Sequence, residues 1–327
     1  MMEMQPGEPG KLQVFDLLSS ATLINRITSR HAEVAMFHVR GANGSSLVAV
    51  KHVRVNGVPA KNSIQNEFRI LGELEGKLGD ALARTIPRPL LLLENEGTIV
   101  FTVVPGIPFD RLLRQHANFL TARLNVLGTR ALERHSLRIG QWLRDFHAAT
   151  AITDQQFEHP RFCSELDSLI AKCASRGFEH AGLSEIRAEA NKQSATASGR
   201  HMAAAAAHGD FLPQNILLEE GEPGVIDFAS CSHSAPVYLD VAHFVGYLLM
   251  LSRKTLYDGK TIESVIQEFW KGYSKELDPI ILRLYVLRAM LRILSDSSHE
   301  QTSESADTTA ALLSSVLQQQ FTSLFSR

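Results

Sequence analysis

Cysteine is scarce: Cys163, Cys173 and Cys231 are the only three in 327 residues. They are too few and too irregularly spaced for a disulfide framework or a zinc site, and they fit a reducing, cytoplasmic compartment. An excess of one charge is also missing. The 33 Lys and Arg stand against 35 Asp and Glu, a formal net charge of −2 that excludes the basic surplus of a nucleic-acid partner. No apolar run is long and clean enough to span a bilayer, because the most apolar stretch, Pro279 to Ser295, is interrupted by Arg283, Arg288 and Arg292. That stretch is expected as a mostly buried helix. The opening MMEMQPGEPGKLQ lacks the basic and apolar blocks of a signal peptide, and there is no internal repeat.

Apolar content is ample for a substantial core, and the length suits two lobes better than one domain. The chemistry concentrates in HGDFLPQNILLEEGEPGVIDF, His208 to Phe228. Moving a γ-phosphoryl group requires a carboxylate to position and deprotonate the attacking hydroxyl, and oxygen ligands to hold Mg²⁺ on the nucleotide. Asp210, Asn215 and Asp227 supply them. Asp210 and Asn215 have the spacing of an H-R-D-x-x-x-x-N catalytic loop, and Ile216, Leu217 and Leu218 follow as a short strand. After the turn-like Glu219, Glu220 and Gly221, Val225 and Ile226 form a second apolar run that ends at Asp227. A lone HGD triplet would be an ordinary turn; the Asn offset, the strand and the second Asp together are not.

These residues resemble the aminoglycoside phosphotransferase and choline kinase group of small-molecule kinases, relatives of the protein kinases. The resemblance implies an α+β, two-lobed, protein kinase-like fold. Its N-lobe, residues 1–104, would be a small antiparallel sheet with one helix, and its C-lobe, residues 105–327, larger and mainly helical, with the hinge near 102–106. It also implies Mg²⁺ with ATP, or GTP, as phosphoryl donor, and a small-molecule hydroxyl acceptor as partner. Gly209 stands where protein kinases carry an Arg that couples the loop to a phosphorylated segment. Pro236 follows Phe228 within about eight residues, which leaves no room for a long activation loop and disfavours a protein or peptide substrate.

The same resemblance predicts a strand Lys and a helix Glu upstream. EVAMFHVRG (Glu33 to Gly41) and SLVAVKHV (Ser46 to Val53) read as strands of a hairpin, with Lys51 in VAVK. From Asn62 to Leu78, apolar Ile64, Phe68, Leu71, Leu74 and Leu78 recur at helical spacing, and Glu67 is the expected partner of Lys51. Gly41 to Gly44 reads as a hairpin turn. The nucleotide-covering loop is expected near Thr28 to His31 instead; it lacks glycines, and Ser29 is its candidate γ-phosphate contact. Thr102, Val103 and Val104 are the hinge positions for the nucleobase.

Downstream, Ile139, Trp142, Leu143 and Phe146 form a helical face ending at His147, which is read as a packed or capping residue. Asp240 matches a family Asp that orients the catalytic loop or caps a helix. Asn191 to Arg200 is expected as a loop, and so is the polar stretch Ser295 to Thr309 before a last helix carrying Leu313, Leu317, Phe321 and Leu324. Ala203 to Ala207 is an unfavourable composition for the short buried strand the fold needs there. A catalytically silent scaffold with the same fold is the competing class; the full set Lys51, Glu67, Asp210, Asn215 and Asp227 argues against it.

Overall fold

In the computed structural model, residues 21–28, 32–41, 44–55, 58–122, 125–176, 182–296 and 303–318 are described. The fold is α+β and of the protein-kinase-like kind, and it divides into two compact units. The first holds the described residues up to Pro105 together with Val225–Ser230; the second holds Gly106–Gly224 and those from Cys231 onward.

The first unit is built on antiparallel strands β1 (Thr22–Thr28), β2 (Ala32–Gly41), β3 (Gly44–Val55), β4 (Val58–Pro59), β5 (Pro89–Leu93) and β6 (Thr98–Thr102). Their order is β1-β2-β3-β6-β5, with β4 added to β3. The tight pairing of Gly41 with Gly44 closes the β2–β3 hairpin. Side chains alternate along β3. Val48 and Val50 pack into an apolar cluster with Val39, Leu91 and Val100, which leaves Lys51 on the opposite face, in register with Val34 of β2 and Ile99 of β6.

Helix α1 (Lys61–Lys77) packs against β5 and β6, followed by the single turn α2 (Asp80–Ala83). Its buried stripe is Ile64, Glu67, Ile70, Leu71 and Leu74. Phe68, expected on that stripe, is only half-buried and Ile70 takes its place. The stripe is therefore rotated so that Glu67 lies in its middle. A carboxylate there must find a partner.

The second unit opens with β7 (Ile107–Pro108), which pairs with β10 (Ile216–Glu219); β10 in turn pairs with β11 (Glu222–Val225). Gly106 has φ of 128°, and a Cβ there would lie 2.8 Å from the Leu218 backbone, so only glycine lets the chain pass. Helices α3 (Phe109–His116), α4 (Phe119–Ala122) and α5 (Val126–Ala149) follow, then β8 (Ile152–Gln156), α6 (His159–Ser175), α7 (Gly182–Ala197), β9 (His201–Ala207) and β12 (Ser232–Pro236). The last four helices among the described residues are α8 (Tyr238–Ser252), α9 (Gly259–Tyr273), α10 (Pro279–Asp296) and α11 (Ser303–Leu317).

Two stretches expected as loops are helical. Asn191 to Ala197 completes α7, because Ala190, Ser194 and Ala197 recur at helical spacing and are small enough to be buried. Much of Ser295 to Thr309 belongs to α10 and α11; Phe321 and Leu324 lie outside the described residues. The alanine run forms β9, the central strand of the sheet β12-β9-β8. Ala204 to Ala207 are all buried, and α5 packs against this strand. Close approach explains a composition that strand propensity disfavours.

Helices α5 and α9 meet through two glycines. A Cβ at Gly140 would collide with the Phe269 carbonyl oxygen, and one at Gly272 with that of Leu137. Between them, the Ser136 hydroxyl donates to the Val265 carbonyl at 2.6 Å. Gly140→Ala should force the pair apart and cost about 1–3 kcal/mol of stability, read as a lower urea midpoint with an unchanged m-value.

Candidate active site

Sequence and packing bring three of the expected residues together in the first unit. The Lys51 ammonium donates to both Glu67 oxygens, at 3.1 and 2.9 Å, and to Asp227 Oδ1 at 2.6 Å. Lys51 is 7% exposed and Glu67 2%, whereas the Asp227 carboxylate is 45% exposed. Burial opposes the Lys51 charge, but Glu67 and then Asp227 outweigh it, so its pKa lies above the ordinary lysine value. Lys51 is thus a fixed cation. Asp227 has φ of 68°, a left-handed conformation that aspartate tolerates better than most residues.

Of the hinge positions, Thr102 donates its N–H to the Arg88 carbonyl at 3.0 Å, and its hydroxyl accepts the Arg88 N–H at 2.9 Å. The Val103 N–H donates to the Leu47 carbonyl at 3.4 Å, and Val104 is buried. Ser29 lies outside the described residues.

In the second unit, the loop from His208 to Asn215 is held by its neighbours. Asp240, at the start of α8, is fully buried and accepts the backbone N–H of His208 (2.8 Å, Oδ2) and of Gly209 (2.8 Å, Oδ1). His147 Nε2 lies 3.3 Å from Asp240 Oδ2, and its Nδ1 bonds the Tyr273 hydroxyl at 3.0 Å. Burial favours a protonated Asp240; the His147 hydrogen bond first, then the charges of His147 and His208 and the Gly209 N–H, hold its pKa below the usual carboxylate range. Gly209 has φ of 78°, which a glycine adopts without strain. Phe211 is fully buried against Trp142 and Phe244, at centroid distances of 5.8 and 6.0 Å. The residue after Asp210 is therefore an anchor.

Asn215 donates through Nδ2 to the Asp210 carbonyl and to Asp210 Oδ2, both at 2.9 Å. Asp210 and Asn215 thus form one unit of structure. Arg292, on α10, donates to the Gly209 carbonyl at 2.9 Å, and its Nη2 lies 4.0 Å from Asp210 Oδ1. Sequence reasoning passed over Arg292; the signal was there in three arginines set into an otherwise apolar helix, each needing a partner.

The model of the phosphotransferase enzyme family matches residues 26–279. The chain belongs to that family. No curated protein sequence matches it significantly. Among solved structures, this phosphotransferase is similar to a thermostable mutant of the aminoglycoside phosphotransferase APH(4)-Ia in ternary complex with ADP and hygromycin B: 14% identity, 95% and 98% of the two chains covered, TM-score 0.60. A glucosamine kinase gives 14% identity, 91% and 94% coverage and a TM-score of 0.57. The choline kinase of Cryptosporidium parvum Iowa II gives 11%, 94% and 92%, and 0.56. At these identities the likeness is one of fold. Among the described residues no helix is long and apolar enough to cross a membrane, and no group of three His, Cys, Asp or Glu could hold a metal.

Asn in place of Asp240 has one acceptor oxygen and would turn an NH₂ toward a backbone N–H of the loop. Asp240→Asn should cost about 1–3 kcal/mol at neutral pH for the donor left unsatisfied. Because the folded protein holds Asp240 below its unfolded pKa of about 3.9, its contribution is full above that pH and is lost as pH falls through the lower folded value. Urea titrations across this acid range should show a shallower loss of stability in the variant than in the wild type.

Proposed function

We propose that this phosphotransferase moves the γ-phosphoryl group of Mg·ATP, with GTP as the alternative donor, to a hydroxyl of a small molecule. The observation that carries the reading is the buried Lys51 cation clamped between Glu67 and the partly exposed Asp227. Buried charges are costly, and a mere scaffold would do as well with apolar residues in their place.

In this reading Lys51, oriented by Glu67, neutralises the phosphates. Asn215 and Asp227 supply oxygen to the metal: with the Asn215 amide nitrogen committed to Asp210, its oxygen is the atom left for a hard cation. Amide and carboxylate oxygens are the donors that suit magnesium, and waters and nucleotide oxygens would complete its shell. Bound there, it would neutralise charge developing on the nucleotide. Asp210, its Oδ2 fixed by Asn215, positions the acceptor hydroxyl and takes its proton. Thr102 and Val103 have committed their N–H groups within the unit, so the nucleobase falls to the Val104 backbone.

A small acceptor is favoured over a protein because a 3-10 turn, Phe228–Ser230, leads straight into β12 and α8. Three free cysteines accord with a cytoplasmic setting. Asp210→Asn should lower turnover about 10²–10⁴-fold while calorimetry shows nucleotide affinity largely unchanged; full turnover would remove Asp210 as the base. Asp227→Ala should abolish Mg-dependent nucleotide binding, and binding equal to wild type would remove the metal assignment.

A further inference from the structure

We infer that one end of the second unit, tipped by Leu120, Leu127 and Leu256, rests on the surface of an anionic phospholipid bilayer. The inference stands apart from the phosphotransferase reading and needs no spanning helix. Five large apolar side chains are exposed at this end: Phe119 and Leu120 of α4, Val126 and Leu127 at the start of α5, and Leu256 between α8 and α9. Leu120 is 75% exposed, Leu127 77% and Leu256 66%. Single exposed leucines are ordinary, but a cluster of them marks a surface that meets something.

Hydrogen bonds hold the cluster together. The Phe119 N–H donates to the Leu256 carbonyl and the Asp258 N–H to the Ala117 carbonyl, both at 2.9 Å, which stitches α4 to the connection between α8 and α9. The Tyr257 N–H donates to the Lys254 carbonyl at 3.0 Å and closes a turn that carries Leu256. Asn125 ties the start of α5 to the same place. Its Oδ1 accepts the Gly128 N–H at 2.9 Å, its Nδ2 lies 3.0 Å from His116 Nδ1, and α4 packs on α5. The apolar residues thus stand on turns and helix starts, as projecting tips.

Charge identifies what covers them. Residues 109–134 and 252–263 carry eight Lys and Arg against four Asp and Glu, in a chain whose net charge is −2. Two of those acids are engaged: Asp110 pairs with Arg114 at 2.6 Å, and Asp258 caps α9 by accepting the Thr261 N–H at 2.9 Å. Exposed Arg130 follows Val126 and Leu127 by four and three positions, on the same side of α5, and exposed Arg134 lies one turn further. Exposed Arg253 and Lys254 precede Leu256. The tips are therefore flanked by cations.

A bilayer surface takes projecting apolar tips without a matching shape, and apolar burial with a basic flank supplies the two signals that peripheral anchoring requires. Each Lys or Arg near an anionic membrane strengthens binding about fivefold. A two-fold contact with a second copy would set this face against itself, excess positive charge on excess positive charge. An acidic polypeptide would meet the charge and leave the tips without pockets.

The test is co-sedimentation of the full chain with vesicles of phosphatidylcholine alone and of an equal mixture with phosphatidylglycerol. At about 0.1 M salt the mixed vesicles should bind about tenfold or more tighter than the neutral ones, and the difference should vanish at about 1 M. Leu127→Ser with Leu256→Ser should weaken binding to the mixed vesicles about tenfold or more, and Arg253→Gln with Lys254→Gln should do so by a similar factor. An unchanged urea midpoint shows that the variants fold; should it fall, the wild-type vesicle and salt comparisons still decide. No binding to the mixed vesicles, equal binding to both kinds, or wild-type binding by the folded leucine variant would overturn the inference. So would a dimer in sedimentation equilibrium that the leucine variant dissolves, which assigns the face to a second copy, or capture of polyglutamate without vesicle binding, which assigns it to an acidic polypeptide.

Discussion

Asp240 is a carboxylate with no access to water, and the placement of the loop from His208 to Asn215 depends on it. Two consecutive backbone N–H groups, those of His208 and Gly209, point at its two oxygens. Such a fork is possible only because Gly209 adopts φ of 78°. A side chain there would strain the backbone and turn one N–H away. The His147–Tyr273 pair beneath the carboxylate keeps it charged in a region that would otherwise favour the neutral acid. Loop geometry, helix packing and protonation state are therefore one arrangement, and Asp210 inherits its position from all three.

The first unit solves a related problem. Glu67 sits in the middle of the buried stripe of α1, where a carboxylate is tolerable only if paired. Lys51 answers it from the face of β3 that the alternation with Val48 and Val50 leaves open. The lysine in turn holds Asp227, which returns to this unit with Val225–Ser230; the Val225 N–H donates to the Thr85 carbonyl at 2.8 Å. Two acids against one base leave a negative balance that a bound cation would correct.

Much of this was legible in the sequence because it is periodic or local. The β2–β3 hairpin, the amphipathic helix that carries Glu67 and the spacing of Asp210, Asn215 and Asp227 each follow from a few adjacent residues. What escaped was set by distant packing. Asn191 to Ala197 has the small polar composition of a loop, yet Ala190, Ser194 and Ala197 make it the buried face of a helix. Ala203 to Ala207 violates strand propensity because α5 packs against β9. Arg292 read as an interruption of an apolar helix, since its partner, the Gly209 carbonyl, is 83 residues away.

Arg292 also bears on the absence of an arginine at position 209. In this chain a guanidinium still reaches the loop, but from α10, and it binds the carbonyl of the same Gly209 peptide group whose N–H goes to Asp240 on α8. Both polar faces of that residue are satisfied by helices that pack on each other, with Gly246 of α8 seated against Met290 and Ala289 of α10. The loop has little freedom of its own. A change of side-chain volume at the α8–α10 contact would move Asp240 and Arg292 relative to one another, and Asp210 with them. A cavity of the second unit draws on the same helix through Tyr285 and Arg288, so the element that holds Arg292 against the Gly209 carbonyl also forms part of that cavity's wall.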